Sequence, residues 1–266
     1  MPIHHLIISR SLTALSTLAG RFPALADDAE QCRIRLLVKS RGWILRTLLL
    51  GLAAGLGHNA LLLAGSDLTE ALPHPPTALT TLLTVVIWIV MTTAISSLVE
   101  NAVLFARLGR HTPVPLLDIR ALMPFGSVAV SSTLAMVGAQ AAFPLMFFQT
   151  DVSYLAYVPG LIATTVPLIY LFAAPVWPVH RRIVAAKRAE LDRIGSLVRS
   201  VAGRDAQSVR AYGDLAPLLV YRREIAAAPE WPFDSTVMGR LALYLVIPPL
   251  TWVGAALIEL LVDSAL

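Results

Sequence analysis

The chain of 266 residues has little charge and almost no cysteine. Asp, Glu, Lys and Arg make up 14% of it, where a soluble domain carries about a quarter. Too few charged side chains are available to cover the surface of an ordinary water-soluble globule. The single cysteine, Cys32, excludes an intramolecular disulfide and a thiolate metal site. Catalytic signatures are missing as well: there is no HExxH and no GxSxG, and the glycines of GLAAGLGHN (51–59) have the wrong spacing for a phosphate loop and sit inside an apolar run. His4 and His5 are an isolated pair. No catalytic, cofactor-binding or metal-binding set is expected, and an enzyme is the least supported class.

What the chain does have is apolar length. It is 56% hydrophobic with a mean hydropathy of +0.70. A bilayer core of about 30 Å needs about 20 such residues in a helix. Runs of that size fall at 43–65, 78–109, 121–148, 152–179 and 237–262. The second is long enough to extend beyond lipid. The third and fourth are separated only by Gln149, Thr150 and Asp151 and form a hairpin that either crosses fully or re-enters. Its prolines, among them Pro167 and Pro175, are tolerated in membrane helices where neighbours satisfy the freed carbonyls.

The formal charge of +4 and pI near 9.6 speak of orientation rather than nucleic acid. Every Lys and Arg lies before the first run or at its start, from the end of the second run (Arg107) to the start of the third, or from the end of the fourth to the start of the fifth (Arg240). The loops after the first and third runs carry Asp67, Glu70 and Asp151 instead. The positive-inside rule then predicts a multi-pass membrane protein with five crossings, N-terminus in and C-terminus out.

The fold class expected is therefore an all-α membrane protein. Its predicted parts are an N-terminal segment (1–42), four transmembrane helices (43–179), a cytoplasmic helical hairpin (180–236) and a final span (237–266). In the first part Leu12, Leu15, Leu18 and Phe22 recur at helical spacing, predicting an amphipathic helix on the inner leaflet or packed on the protein. In the hairpin, Leu191, Ile194, Val198 and Val201 form a short seam that Lys187 interrupts. A second stripe is predicted at Val209, Tyr212, Ala216 and Leu219, and Arg188 and Asp192 stand four apart on one face.

Ionisable groups at membrane depth are costly and mark candidate sites. His58, Asn59, Gln140 and Glu259 are predicted at one depth, a candidate outer polar layer. Glu100 is a candidate for an inner ion pair with Arg46 or Arg240. The stretch AAPVWPVHRR (173–182) places Trp177, His180, Arg181 and Arg182 where the fourth run ends, and EWPFDS (230–235) places Trp231 where the chain turns back to the membrane. All five are predicted interfacial anchors. The order PVWPVHRR, KRAEL, YRREI, EWPFD and a last span with two adjacent prolines resembles the C-terminal part of a family of uncharacterised bacterial multi-spanning membrane proteins. The resemblance covers about the last third of the chain and implies no activity.

Two functional expectations follow. One is a homo-oligomeric pore or transport-type protein, its polar layer lining an axis. The other is a scaffold or signal-coupling protein whose basic hairpin meets a cytosolic partner or the inner leaflet. Both need the lipid bilayer, and neither needs a cofactor.

Overall fold

A computed structural model describes residues 2–62, 75–141, 158–204 and 209–234, with isolated positions beyond. Among the described residues all regular elements are helices: α1 (Pro2–Arg21), α2 (Ala26–Leu37), α3 (Arg41–Leu62), α4 (Pro75–His111), α5 (Met123–Ala141), α6 (Val158–Arg204) and α7 (Val209–Ala227). Short 3-10 turns at Pro23–Leu25 and Ile119–Leu122 lead into α2 and α5. Four helices are long and apolar enough to cross a membrane. They correspond to the first four predicted spans, while the fifth lies almost wholly outside the described residues.

α3 and α4 form an antiparallel hairpin whose register can be read from its contacts. A Cβ at Gly51 would stand 2.6 Å from the Ile89 Cα, and one at Gly55 2.8 Å from the Val85 Cα. Four residues further along α3, Asn59 donates from Nδ2 to the Thr81 carbonyl at 3.1 Å. Each four-residue step up α3 matches a four-residue step back along α4. The two glycines bring the backbones into contact, the small-xxx-small mode that packs helices where lipid offers no hydrophobic drive. The outer faces carry Leu48, Leu49, Leu52 and Leu56 on α3 and Leu82, Leu83, Val86 and Val90 on α4, all exposed. Each such side chain gains about 1.5–3 kcal/mol when removed from water, and a patch of this extent belongs in lipid or against another protein.

α4 has 37 residues, about 55 Å at 1.5 Å per residue, so it outruns α3 at the basic end. There it lies against α6, and Gly109 meets Val179 so closely that a Cβ would stand 2.7 Å from Cγ2. Around this crossing sits the larger core, with Leu18, Phe105, Leu122, Phe125 and Ile183 fully buried. Phe105 and Phe125 meet edge to face at 6.0 Å. Burial separates the spans: 61% of the apolar window of α5 is inside the protein, against 22% for α3 and 11% for α4.

α1 packs on the protein. It runs parallel to α4 and antiparallel to α5, with Asn101 donating to Ser11 Oγ at 2.9 Å and Arg10 to Ser131 Oγ at 3.1 Å. Ile7, Leu15 and Leu18 are its buried stripe. Below it α2 covers α4 with Ala29, Cys32 and Leu36. Burial, then the neighbouring Asp28 carboxylate, push the Cys32 thiol above its ordinary value, so it is an unreactive core residue.

The hairpin contact predicts opposite effects for neighbouring glycines. Gly51→Ala and Gly55→Ala are expected to destabilise the protein in detergent by about 1–3 kcal/mol each. Gly57 has open space around it, so Gly57→Ala is expected to be neutral or to stabilise by up to about 1 kcal/mol through helix propensity. Thermal unfolding measures the contrast, and equal effects at all three positions would refute the packing.

Candidate functional site

The most elaborate contact set surrounds a segment outside the helices, 228–234, which folds back as a collar over α6 and α5. Proline 232 keeps Trp231 out of the helical region, so α7 ends at Ala227 and the chain turns. The His180 ring lies flat on Trp231, centroids 3.8 Å apart and planes within 11°. Its Nδ1 is 2.9 Å from the Glu230 carbonyl, which can only accept, so Nδ1 carries the proton. Trp177, nearly one turn earlier on α6, lies 5.8 Å from the His180 ring. Phe233 stacks on Trp231 at 5.5 Å and reaches Phe172 at 6.1 Å. Five rings thus form one ladder along α6.

Two further residues fasten the collar. Lys187 donates from Nζ to the Ala228 carbonyl at 2.9 Å and to Glu230 Oε1 at 3.2 Å. This explains the seam it interrupts: its side chain serves the collar instead. On α5, a Cβ at Gly126 would stand 2.7 Å from the Pro232 carbonyl oxygen and 3.2 Å from the Phe233 Cβ, so only glycine admits the collar at this approach. Neither role was visible in the sequence, because both depend on a contact across about a hundred residues or on the path of the turn.

Of the predicted anchors, Trp177 is exposed and Trp231 and His180 are joined in the stack. Arg182 is committed: its guanidinium donates to the Arg110 carbonyl in the last turn of α4, where a cation caps free carbonyls and meets the helix dipole. Arg181 remains exposed.

The inner ion pair is Lys39 with Glu100, in place of the expected Arg46. The α3–α4 register sets Arg46 opposite residues near Ala94, about 9 Å of helix rise from Glu100, and the Arg46 Nε donates to the Gly42 carbonyl instead. Lys39, just before α3, is level with the carboxylate and also sits 5.0 Å over the Trp43 ring. Arg240 lies outside the described residues.

The outer layer is likewise only partly described. Asn59 is buried against Thr81, and His58 faces Trp88 at 5.6 Å with Nδ1 buried and unpartnered. Both point into the α3–α4 hairpin. Gln140 lies in the last turn of α5, but its side chain, like Glu259, lies outside the described residues.

Along the arm formed by α6 and α7, Ile194 and Ile225 are fully buried, and Tyr221 donates to Glu190 Oε1 at 3.0 Å. That hydrogen bond raises the Tyr221 pKa above its ordinary value. Glu190 pairs with Arg193, which makes it the ion-paired residue of the surface where Arg188 and Asp192 were expected. The α7 stripe facing α6 is Tyr221 and Ile225, while Leu219 of the predicted stripe is exposed. The other members of that stripe lie where side chains are outside the described residues, apart from the exposed Ala216.

No family model, curated protein or solved structure matches the chain. The geometry alone therefore speaks for function: it is a set of non-covalent anchors holding a turn against two long helices.

Gly126→Val is expected to cost about 1–3 kcal/mol by overpacking and to release the collar. Limited proteolysis in detergent should then cut 228–234 faster than in the native chain, and Lys187→Met should do the same more mildly. Unchanged protection in both would show that these contacts do not hold the segment.

Proposed function

We propose that the protein is a non-enzymatic membrane coupling element, in which α6 acts as a lever joining the membrane-spanning helices to the arm it forms with α7. The observation that carries this reading is the continuity of α6. It is one helix of 47 residues, about 70 Å long, more than twice what a bilayer needs. It runs through Pro167, Pro175 and Pro178 without ending, and the aromatic collar is clamped along the stretch that holds the last two.

The arm has a face suited to a partner. Leu219 and Val220 are 51% and 61% exposed beside Arg222 and Arg223, an apolar and basic surface that would meet an acidic, partly apolar protein in the cytosol. The pore or transport reading has less support: Asn59 is committed to the Thr81 carbonyl within the α3–α4 hairpin, and Gln140 and Glu259 lie outside the described residues.

The test is a pair of spin labels at Ser16→Cys on α1 and Ser196→Cys on the arm, in a Cys32→Ser background, measured in bilayers of different thickness. A coupling element should show one narrow distance distribution that shifts with the bilayer. Replacing Trp177 and Trp231 by Ala should broaden it and remove the shift. A distribution indifferent to both the bilayer and the two substitutions would defeat the proposal.

A further inference from the structure

A cavity lies between α1 and α5, a groove of about 600 Å³, within the range of small-molecule sites. Its lining among the described residues includes three arginines, Arg10, Arg21 and Arg120, and no carboxylate. Arg10 meets a neutral acceptor, Ser131, at 3.1 Å, so its charge is not neutralised there. Arg21 has Asp118 3.7 Å away, with both side chains more than half exposed, a weak pair in solvent. The floor is apolar, with Met123, Val130 and Phe233. Arg10 and Arg21 are about 16 Å apart along α1, so the groove is long, cationic towards both ends and greasy between them.

Depth adds to this. Ser11, next to Arg10, is hydrogen-bonded to Asn101, and the adjacent Glu100 pairs with Lys39 just before α3. The Arg10 end of the groove is therefore level with the basic start of a bilayer-length helix, where lipid headgroups lie.

We infer that the groove between α1 and α5 binds a phosphate-bearing ligand, its anionic group held by Arg10 or by Arg21 with Arg120, and its apolar part laid over Met123, Val130 and Phe233. Arginine is suited to this because its planar fork gives charge-assisted, bidentate hydrogen bonds to phosphate oxygens. Such a group is either the headgroup of an anionic phospholipid or a soluble phosphate ester. The inference does not depend on the coupling role, and its test reads binding alone.

The full chain is purified in detergent and offered phosphatidylglycerol or phosphatidylcholine, with retained lipid counted by native mass spectrometry. Glycerol 3-phosphate is titrated separately by calorimetry. Arg10→Gln with Arg120→Gln is expected to weaken binding about tenfold or more, the loss of one charge-assisted contact whichever end of the groove holds the phosphate. Thr13→Phe, which fills the groove without removing charge, should do the same with unchanged thermal unfolding. Arg33→Gln, on an exposed pair with Glu30 outside the groove, should leave binding intact.

Preferential retention of phosphatidylglycerol that both groove variants abolish supports the site with a lipid headgroup as ligand. Saturable glycerol 3-phosphate binding with the same variant dependence supports it with a soluble ester. If neither probe binds, or if the groove variants bind like the native chain or no worse than Arg33→Gln, the inference is overturned.

Discussion

The close crossing of α4 and α6 at Gly109 and Val179 is the contact on which the basic end of the molecule depends. It is possible only because residue 109 has no side chain, and it aligns two helices that both outlast the membrane-length α3. Phe105 and Phe125 fill the angle between α4 and α5, Arg182 closes the last turn of α4, and α1 and α2 cover the remaining apolar face. Interiors of this kind are bistable rather than freely deformable, so displacement of α6 relative to α4 would be passed to the elements packed on them.

The arrangement divides the chain by solvent. α3 and the first half of α4 are held by glycine contacts and offer leucine and valine outward, as lipid demands. Beyond the Lys39–Glu100 pair the same bundle has a conventional buried core, together with a polar seam of Ser11, Asn101 and Ser132 between α1, α4 and α5. Asn101 Oδ1 and Ser132 Oγ have no partner there among the described residues, and such groups raise the cost of opening the seam only when something satisfies them.

Much of this was legible in the sequence for identifiable reasons. Apolar length alone gave the first four spans, because a bilayer imposes a minimum run. The prominence of Trp177 and Trp231 was readable from their proline-flanked positions. Their joint stack on His180 was not, since it needs the turn at 228–234 to fold back. Register was also hidden: hydropathy puts Glu100 near one end of a helix without saying which cation is level with it, so Arg46 was expected where Lys39 stands. Lys187 looked like a defect in a seam because periodicity sees a residue's face and not its reach. Gly126 carried no local signal at all, as its role is to leave room for a carbonyl more than a hundred residues away.

The α4–α6 crossing is tested most directly by a disulfide. Replacing both Gly109 and Val179 by Cys, with Cys32→Ser, removes the methyl that a side chain at 109 would otherwise meet and sets two thiols at contact distance. Mild oxidation of the protein in bilayers should form an intramolecular bond in most molecules, seen by mass spectrometry as the loss of two hydrogen atoms and of both alkylatable thiols. Two thiols that remain fully alkylatable after oxidation, in a protein with native helicity, would contradict the crossing and the lever built on it.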